Sequence, residues 1–556
     1  MDLTVRIAGD AGQGVQTTGN LLVGAFARVG RHVFATQSYM SRIRGGLNWF
    51  DVRVGDSEIF SGKEKADVLV ALNSDALDAL RHEVTGRGVV LFDGAGSDGV
   101  ISIALSKTAE QLTGSAQMAN TVAAGAVFKM LGCGLDELCG YLAVQFGKKG
   151  DQVVEGNILC ARRGAELAAS IPALDDAPKS SGAPGTVYSG SEAVGLAAAA
   201  AGVKLVASYP MTPATGTFTV LAGLADEYGI VVEQAEDEIA AINMVCGAAY
   251  AGAPAMTTTS GGGFALMCEG LSLAGMMELP VFVLLAQRPG PATGLPTRTG
   301  QEDLGFAAHA GHGEFPRALF APGTPQQAYE LTRRAIETAH KFQTPAILLI
   351  DQFLADVQKN IPPLDTSLRP VDRHILAEPP DDYVRYAVTP GGVSPRALPG
   401  AGPFVVCDSD EHTEDGHVTE DLNARIRLQD KRLAKTEGLI AEAMPPEHYG
   451  PSDADTLLVA WGSTYGPCRE AVDILNAEGK SAAMVHFAQV WPLDVQAVRS
   501  LLREGEAERV ITVEGNATGQ FASILRSAGA LDEHESILRH DGMPFTGEGI
   551  AARVAQ

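Results

Sequence analysis

Four short stretches carry side chains whose types and spacing could do chemistry. In KLVASYPMTPATG, Thr212 follows an apolar run and precedes Pro213. Thr at a helix N-cap with Pro at N1 is a good helix start, so its hydroxyl serves either backbone N–H groups or a ligand. In VVEQAEDEIAAINMVCGAAYAGA, Glu236, Asp237 and Glu238 open a helix otherwise rich in Ala, Ile, Asn and Gly. These acids either complement the helix dipole or place a carboxyl on a small-residue face that packs closely against another surface. TTTSGGGF follows, and Gly261, Gly262 and Gly263 allow backbone to approach a ligand at a helix N-terminus. Last, LLAQRPGPATGLPTRTGQEDL carries Arg288 and Arg298 among prolines, glycines and threonines. A guanidinium presents paired donors that match a carboxylate; the alternative is a surface loop with solvated arginines.

The elements that must position these residues read as repeated βα alternation. Strand-like runs Lys204–Ser208, Ile230–Glu233, Ala255–Thr258 and Val281–Ala286 are spaced by helical patterns, which predicts a parallel sheet covered on both faces. Another βα unit spans Gln326–Ile350. Ligands in such sheets gather at the carboxyl ends of strands, where Thr212 falls. Alternation also marks the start of the chain, at Leu3–Ala8, Val68–Leu72 and Val89–Phe92, and its end, at Thr456–Ala460, Ala482–Phe487 and Val510–Glu514. Between about Pro362 and Pro451 the pattern is lost, and the charged stretch Asp408–Lys435 is expected to be exposed. Pro, Ser, Gly and Asp over 175–185 predict a linker. The resulting division is 1–174, linker 175–185, 186–365, a connecting region 366–450 and a C-terminal α/β domain 451–556. The fold class is α/β, with several doubly wound domains.

Composition narrows the functions. A net charge of −25 lacks the basic footprint of a general nucleic-acid binder. No apolar run approaches the roughly 18–20 residues that span a bilayer, and the start, MDLTVRIAGDAGQG, has no signal-peptide pattern, so a cytoplasmic protein is expected. Seven cysteines occur without a C-x-x-C, which predicts reduced, mostly buried thiols and no metal site of this chain's own.

The order and spacing of YPMTP, EDEIAAINMVCGAAYAGA, TTTSGGG and QRPGPATGLPTRTGQEDL resemble the α subunit of 2-oxoacid:ferredoxin oxidoreductases. GDAGQGVQTTGNLL with SRIRGG resembles the γ domain of the same family, fused ahead of α, and GGVSPRALPG with KRLAKTEG resembles the connection into the next domain. The resemblance implies a pyrimidine-binding domain for thiamine diphosphate and a transketolase C-terminal-like domain. It implies Glu238 on the pyrimidine ring, Thr212 and Arg288 on the substrate, Arg298 on a second carboxylate, and Gly261, Gly262 and Gly263 near the cofactor. Gly12, Gln13, Gly14, Arg42 and Arg44 become candidates for coenzyme A, although G-x-x-G-x-G is not the dinucleotide fingerprint and fits a tight turn equally.

The same resemblance implies the reaction: CoA-dependent oxidative decarboxylation of a 2-oxoacid with reduction of ferredoxin, or its reverse, as in the reductive TCA cycle. 2-Oxoglutarate, giving succinyl-CoA, is the best match; 2-oxoisovalerate and pyruvate are the alternatives. Neither a GDG motif nor cluster-type cysteine spacing occurs in the sequence. A β subunit is therefore expected to supply the Mg2+–diphosphate site and a [4Fe-4S] cluster, in an (αβ)2 heterotetramer. Outside the enzyme class, the competing reading is a noncatalytic scaffold binding a nucleotide or a partner.

Overall fold

The computed structural model describes every residue except 1, 42–44, 173, 175–184, 403 and 504–506. The predicted linker thus lies outside the described residues but for Gly185. Two compact units emerge. An N-terminal unit runs to Ser189 and takes in Asp356–Pro363 and Thr546–Ala552; a larger one holds Gly190–Ala355, Leu364–Phe545 and Arg553–Gln556.

In the N-terminal unit an eight-stranded mixed sheet is built around Asp2–Asp10, which runs parallel to Ala66–Ala71 and antiparallel to Leu47–Gly55. The antiparallel strands His32–Ser38 and Leu47–Gly55 were not legible as a strand pair, because their sheet pairing includes charged positions. Arg6 stands opposite Asp51 in the register and donates two hydrogen bonds to its carboxylate, at 2.7 and 2.8 Å, in a buried setting. Such a pair satisfies both groups but breaks the apolar alternation that betrays a strand. Helices Val15–Arg28, Ala119–Met130, Leu135–Phe146 and Asp151–Leu167 pack on the sheet around one apolar core. Ala119–Met130 and Asp151–Leu167 cross at backbone contact: a Cβ on Gly164 would lie 1.9 Å from the Val122 carbonyl oxygen, so only glycine fits.

The larger unit contains two sheets. The first has the strand order Gln489–Trp491, Ala318–Phe320, Ala346–Asp351, Phe282–Gln287, Ala255–Thr259, Leu205–Ser208, Val231–Gln234, parallel except for Gln489–Trp491. The second has the order Glu447–Tyr449, Ala482–Phe487, Thr456–Trp461, Arg509–Glu514, Glu535–Leu538, with its last four strands parallel. A single set of buried residues, from Ala207 to Leu531, links both sheets in one core. These are the α/β doubly wound layers that the alternation implies.

The charged stretch Asp408–Lys435 is not simply exposed. Leu422–Ala441 forms a 20-residue helix, and Lys431, Arg432 and Lys435 on it are buried. The reason lies elsewhere in the chain. Glu278, 1% exposed, accepts Lys431 Nζ at 2.6 Å on Oε1 and pairs with Lys435 Nζ at 2.5 Å on Oε2. Burial would raise the Glu278 pKa, but Lys435, Lys431 and Arg385 outweigh it and hold the carboxyl well below the usual range. A buried counter-ion contributed from outside the stretch makes burial of these ammonium groups tolerable.

All seven cysteines are free, with Cys139, Cys160, Cys246 and Cys468 buried. Desolvation pushes the thiols of Cys133 and Cys160 up to about 11 and that of Cys246 to about 12, so they act as small apolar side chains.

Candidate active site

The parallel strands of the seven-stranded sheet all point the same way, so the residues that follow them collect at one edge. Leu205–Ser208 delivers Thr212, Val231–Gln234 delivers Glu238, Ala255–Thr259 delivers Ser260 and Gly261, and Phe282–Gln287 delivers Arg288. This carboxyl edge is where doubly wound sheets bind ligands.

Thr212 is not a helix cap. The helix after it, Thr215–Gly223, starts with Ala214 at its N-cap and no side-chain cap bond. The Thr212 carbonyl oxygen accepts a 2.7 Å bond from Arg288 Nη1, which joins two of the expected substrate residues.

The three acids separate by role. Glu236 is exposed, whereas Asp237 is the N-cap of Glu238–Tyr250 and accepts a 2.8 Å bond from the Ala240 N–H. Glu238 is 3% exposed, and its Oε1 is buried with no hydrogen-bond partner. A buried polar oxygen left unpaired costs about 1–3 kcal/mol and marks a place where a ligand can supply the partner.

The glycine turn is shaped around acids. A Cβ on Gly263 would lie 2.4 Å from Glu238 Oε1 and 2.3 Å from Thr259 Oγ1. A Cβ on Gly261 would lie 2.5 Å from both Asp303 carboxylate oxygens, while Gly262 is exposed and its Cβ would meet only the Ala292 carbonyl oxygen, at 3.9 Å. Ser260 Oγ and Asp303 Oδ2 are also buried without partners. The glycines leave room for protein carboxyls as well as for a ligand.

Asp303 is a residue that the sequence reading passed over. It stands at the N-cap of Leu304–His309 yet makes no side-chain cap bond; its carboxyl lies against Gly261 instead. Burial and the neighbouring Glu302 raise its pKa to about 6, with Arg288 pulling the other way. Its one signal in the sequence was an acid just before an apolar run, which ordinarily reads as a cap.

Arg288 and Arg298 bracket a loop whose ends are held together. Gly290 N–H donates to Glu302 Oε2 at 2.9 Å, Leu295 N–H donates to the Pro289 carbonyl at 3.0 Å, and a Cβ on Gly300 would touch the Pro289 nitrogen at 3.3 Å. Arg298 packs on Gly542 and directs Nη1 toward Met543 Sδ at 3.7 Å. Both arginines are only partly exposed, and burial lowers the pKa of each.

Gly12, Gln13 and Gly14 lie in the N-terminal unit. Gly12 and Gly14 have φ of 95° and 82°, and Gln13 Oε1 accepts from the Asp10 N–H and from Asn73 Nδ2, both at 2.7 Å. The Gln13 carbonyl thus closes a tight turn. Gly12 and Gly14 line a groove of about 590 Å³ with Gln16, Gln37, Tyr39 and Trp49. Arg42 and Arg44 lie outside the described residues.

The chemistry of the Glu238 corner fits the holding of an aminopyrimidine on two observations: an unpartnered buried carboxyl oxygen, and a glycine pressed against that carboxyl where any side chain would collide. Fold and corner together define a thiamine-diphosphate-binding class of α/β enzyme. Family models agree: pyruvate flavodoxin/ferredoxin oxidoreductase, thiamine diphosphate-binding, matches residues 196–431; pyruvate ferredoxin/flavodoxin oxidoreductase matches 4–167; and transketolase, C-terminal domain, matches 448–551. The 2-oxoacid:ferredoxin oxidoreductase 2, subunit alpha, of Aeropyrum pernix is 30% identical over 100% of this chain and 97% of its own length. The 2-oxoglutarate oxidoreductase subunit KorA of Mycobacterium tuberculosis is 29% identical over 99% and 90%. A solved 2-oxoglutarate:ferredoxin oxidoreductase from Magnetococcus marinus, with 2-oxoglutarate, coenzyme A and succinyl-CoA bound, is 31% identical with a TM-score of 0.92 over 100% of this chain and 99% of that one. The chain belongs to the 2-oxoacid:ferredoxin oxidoreductase alpha-subunit family, a family of enzymes. Among the described residues no helix is long and apolar enough to cross a membrane.

Proposed function

We propose that this chain is the alpha subunit of an enzyme that converts 2-oxoglutarate and coenzyme A to succinyl-CoA and CO2, passing the two electrons released to ferredoxin, or runs the reverse reaction. The observation that carries the choice of substrate is the pair of arginines at the two ends of one pinned loop: a dicarboxylate offers a carboxylate to each guanidinium, whereas a monocarboxylic oxoacid offers only one. The dicarboxylate bound to the Magnetococcus marinus relative supports the same choice.

Thiamine diphosphate, when bound, supplies the nucleophilic carbon and the electron sink for decarboxylation. Glu238 would hold its aminopyrimidine, with Oε1 exchanging a proton with the ring nitrogen, and the Gly261–Gly263 turn would let the ring approach. Arg288 would bind the carboxylate next to the keto group, with Thr212 beside it; Arg298 would bind the distal one. The N-terminal groove would take coenzyme A, with Gly12 and Gly14 at its wall and Gln13 shaping the turn.

A β subunit would complete the site with the Mg2+–diphosphate half and an iron–sulfur cluster. Ile239 and Met244, exposed on the helix that starts at Glu238, and exposed Leu266 after the glycine turn offer the apolar surface for that closure. An obligate interface of this kind buries about 2,000 Å² or more.

The test is a comparison of kcat/KM for 2-oxoglutarate, pyruvate and 2-oxoisovalerate in the assembled complex, with R288A, R288K and R298A alongside. Removal of the arginine in R288A is expected to lose about 2–5 kcal/mol of transition-state stabilisation, and R288K a part of it, because an ammonium cannot reproduce the paired guanidinium donors. Preference for either monocarboxylate, or wild-type efficiency in R288K, would sink the reading. So would reduction of a viologen dye by the purified chain free of a second polypeptide, as far as the β subunit is concerned.

A further inference from the structure

The five-stranded C-terminal sheet has its own ligand crevice, and the chain fills it with itself. Chain order runs from the central strand Thr456–Trp461 to Ala482–Phe487 on one side, then across to Arg509–Glu514 on the other. The order therefore reverses between Thr456–Trp461 and Arg509–Glu514, and the crevice outside their carboxyl ends is where an open α/β sheet ordinarily binds its ligand. Gln301, 2% exposed, lies across this gap. Its Nε2 donates to the Trp461 carbonyl at 3.0 Å, and its Oε1 accepts the Gly515 N–H at 2.8 Å. Its backbone N–H donates to the Gly515 carbonyl at 2.6 Å, and its carbonyl accepts Asn516 Nδ2 at 3.1 Å.

The stitching continues on both sides of Gln301. Thr299 N–H donates to the Gly542 carbonyl at 3.1 Å. Gln520 donates through Nε2 to the Glu302 carbonyl at 2.6 Å and accepts the Gly305 N–H on Oε1 at 2.8 Å. Two glycines crowd the Gln301 amide: Gly462 has a φ of 57° that favours glycine and its Cβ would lie 3.0 Å from Gln301 Nε2, and a Cβ on Gly515 would lie 3.3 Å from the same side chain. Behind the strap, Asp351 accepts hydrogen bonds from the Ser463 and Thr299 hydroxyls.

We infer that Gln301 is a positioning residue for substrate specificity: by occupying the switch-point crevice of the C-terminal domain it fixes the end of the 288–303 loop and so the reach of Arg298 relative to Arg288. The C-terminal domain then has a defined task, which is to hold the loop that reads the distal carboxylate. This inference rests on the dicarboxylate reading above.

The test uses the assembled complex with Q301A and the milder Q520A, assayed with 2-oxoglutarate and with the monocarboxylate 2-oxobutyrate. In each variant the ratio of kcat/KM for 2-oxoglutarate over 2-oxobutyrate is expected to fall, by at least about 10-fold in Q301A, mainly through KM for 2-oxoglutarate, because sub-ångström loss of alignment is costly. Adding Q301A to R298A should lower that ratio little further, since both act through one contact. Hydrogen exchange over 298–305 in the substrate-free complex should quicken in the same variants. If R298A lowers the ratio and neither glutamine variant does, the inference is overturned and the substrate reading stands. If exchange stays at the wild-type rate in Q301A, the strap does not hold the loop and the inference is overturned. If R298A itself leaves the ratio unchanged, the dicarboxylate reading fails and takes the inference with it.

Discussion

Gly263 lies directly against the carboxyl of Glu238: a Cβ at residue 263 would sit 2.4 Å from Oε1, far inside van der Waals contact. Because Thr259 Oγ1 crowds the same point at 2.3 Å, the carboxyl has to swing away if Gly263→Ala is made. Overpacking of this size costs about 1–3 kcal/mol. The expected outcome is a folded complex, by circular dichroism, that binds thiamine diphosphate at least about 10-fold more weakly by calorimetry. Wild-type affinity in this variant would show that the carboxyl is not where the cofactor docks.

Glu238→Gln keeps the size and most of the contacts of the side chain but cannot exchange a proton. Turnover of the complex should drop by at least about 100-fold, the low end for loss of a proton-transfer group, with thiamine diphosphate still bound. Exchange of the cofactor C2 proton, followed by NMR, should slow in parallel. Unchanged exchange would remove Glu238 from the mechanism.

Glu278→Gln would leave Lys431 and Lys435, both buried, without their shared counter-ion. Breaking such a cluster by removing one partner costs about 3–5 kcal/mol, seen as a lower thermal midpoint. Replacing all three residues together by methionine should recover most of that loss, since no uncompensated charge then remains. A single variant as stable as wild type would mean that the cluster is neutral in the native chain.

Asp351 gives a pH dependence. Burial, only partly offset by hydrogen bonds from Leu354, Ser463 and Thr299, raises its pKa from 3.8 to about 6. The folded state therefore holds this proton more tightly than the unfolded state, so the stabilisation is present at low pH. It is lost as pH rises from about 4 to about 6, a change of about 3 kcal/mol. Asp351→Asn has no such titration. Between pH 4.5 and pH 7.5 the variant should lose less stability than wild type in denaturant unfolding, and parallel curves would contradict the assignment.

Sequence alone determined the fold class and the sheet edge at which the candidate residues gather. Phe282–Gln287 is apolar on both faces up to its last residue, as a central parallel strand must be, and the β-branched run Ala255–Thr259 is buried throughout; they end in turns rich in Gly, Pro and Ser. Once the strands are parallel, Thr212, Glu238, Gly261 and Arg288 have to share one edge, so their order in the sequence already carried their proximity. The charged strand pair His32–Ser38 and Leu47–Gly55 escaped notice, because Asp51 is buried only by virtue of Arg6, which lies on another strand.

Tertiary structure decided the rest, wherever a side chain's meaning depends on a group remote in sequence. Lys431 and Lys435 read as solvated charges until Glu278, more than a hundred residues earlier, is placed between them. Asp303 reads as a cap until its carboxyl is found against Gly261. Gln301 carries no local signal at all, since its partners Trp461, Gly515 and Asn516 come from another sheet. Periodicity encodes which face of an element is buried; it does not encode which distant polar group waits there, and that pairing is fixed only when the sheets pack.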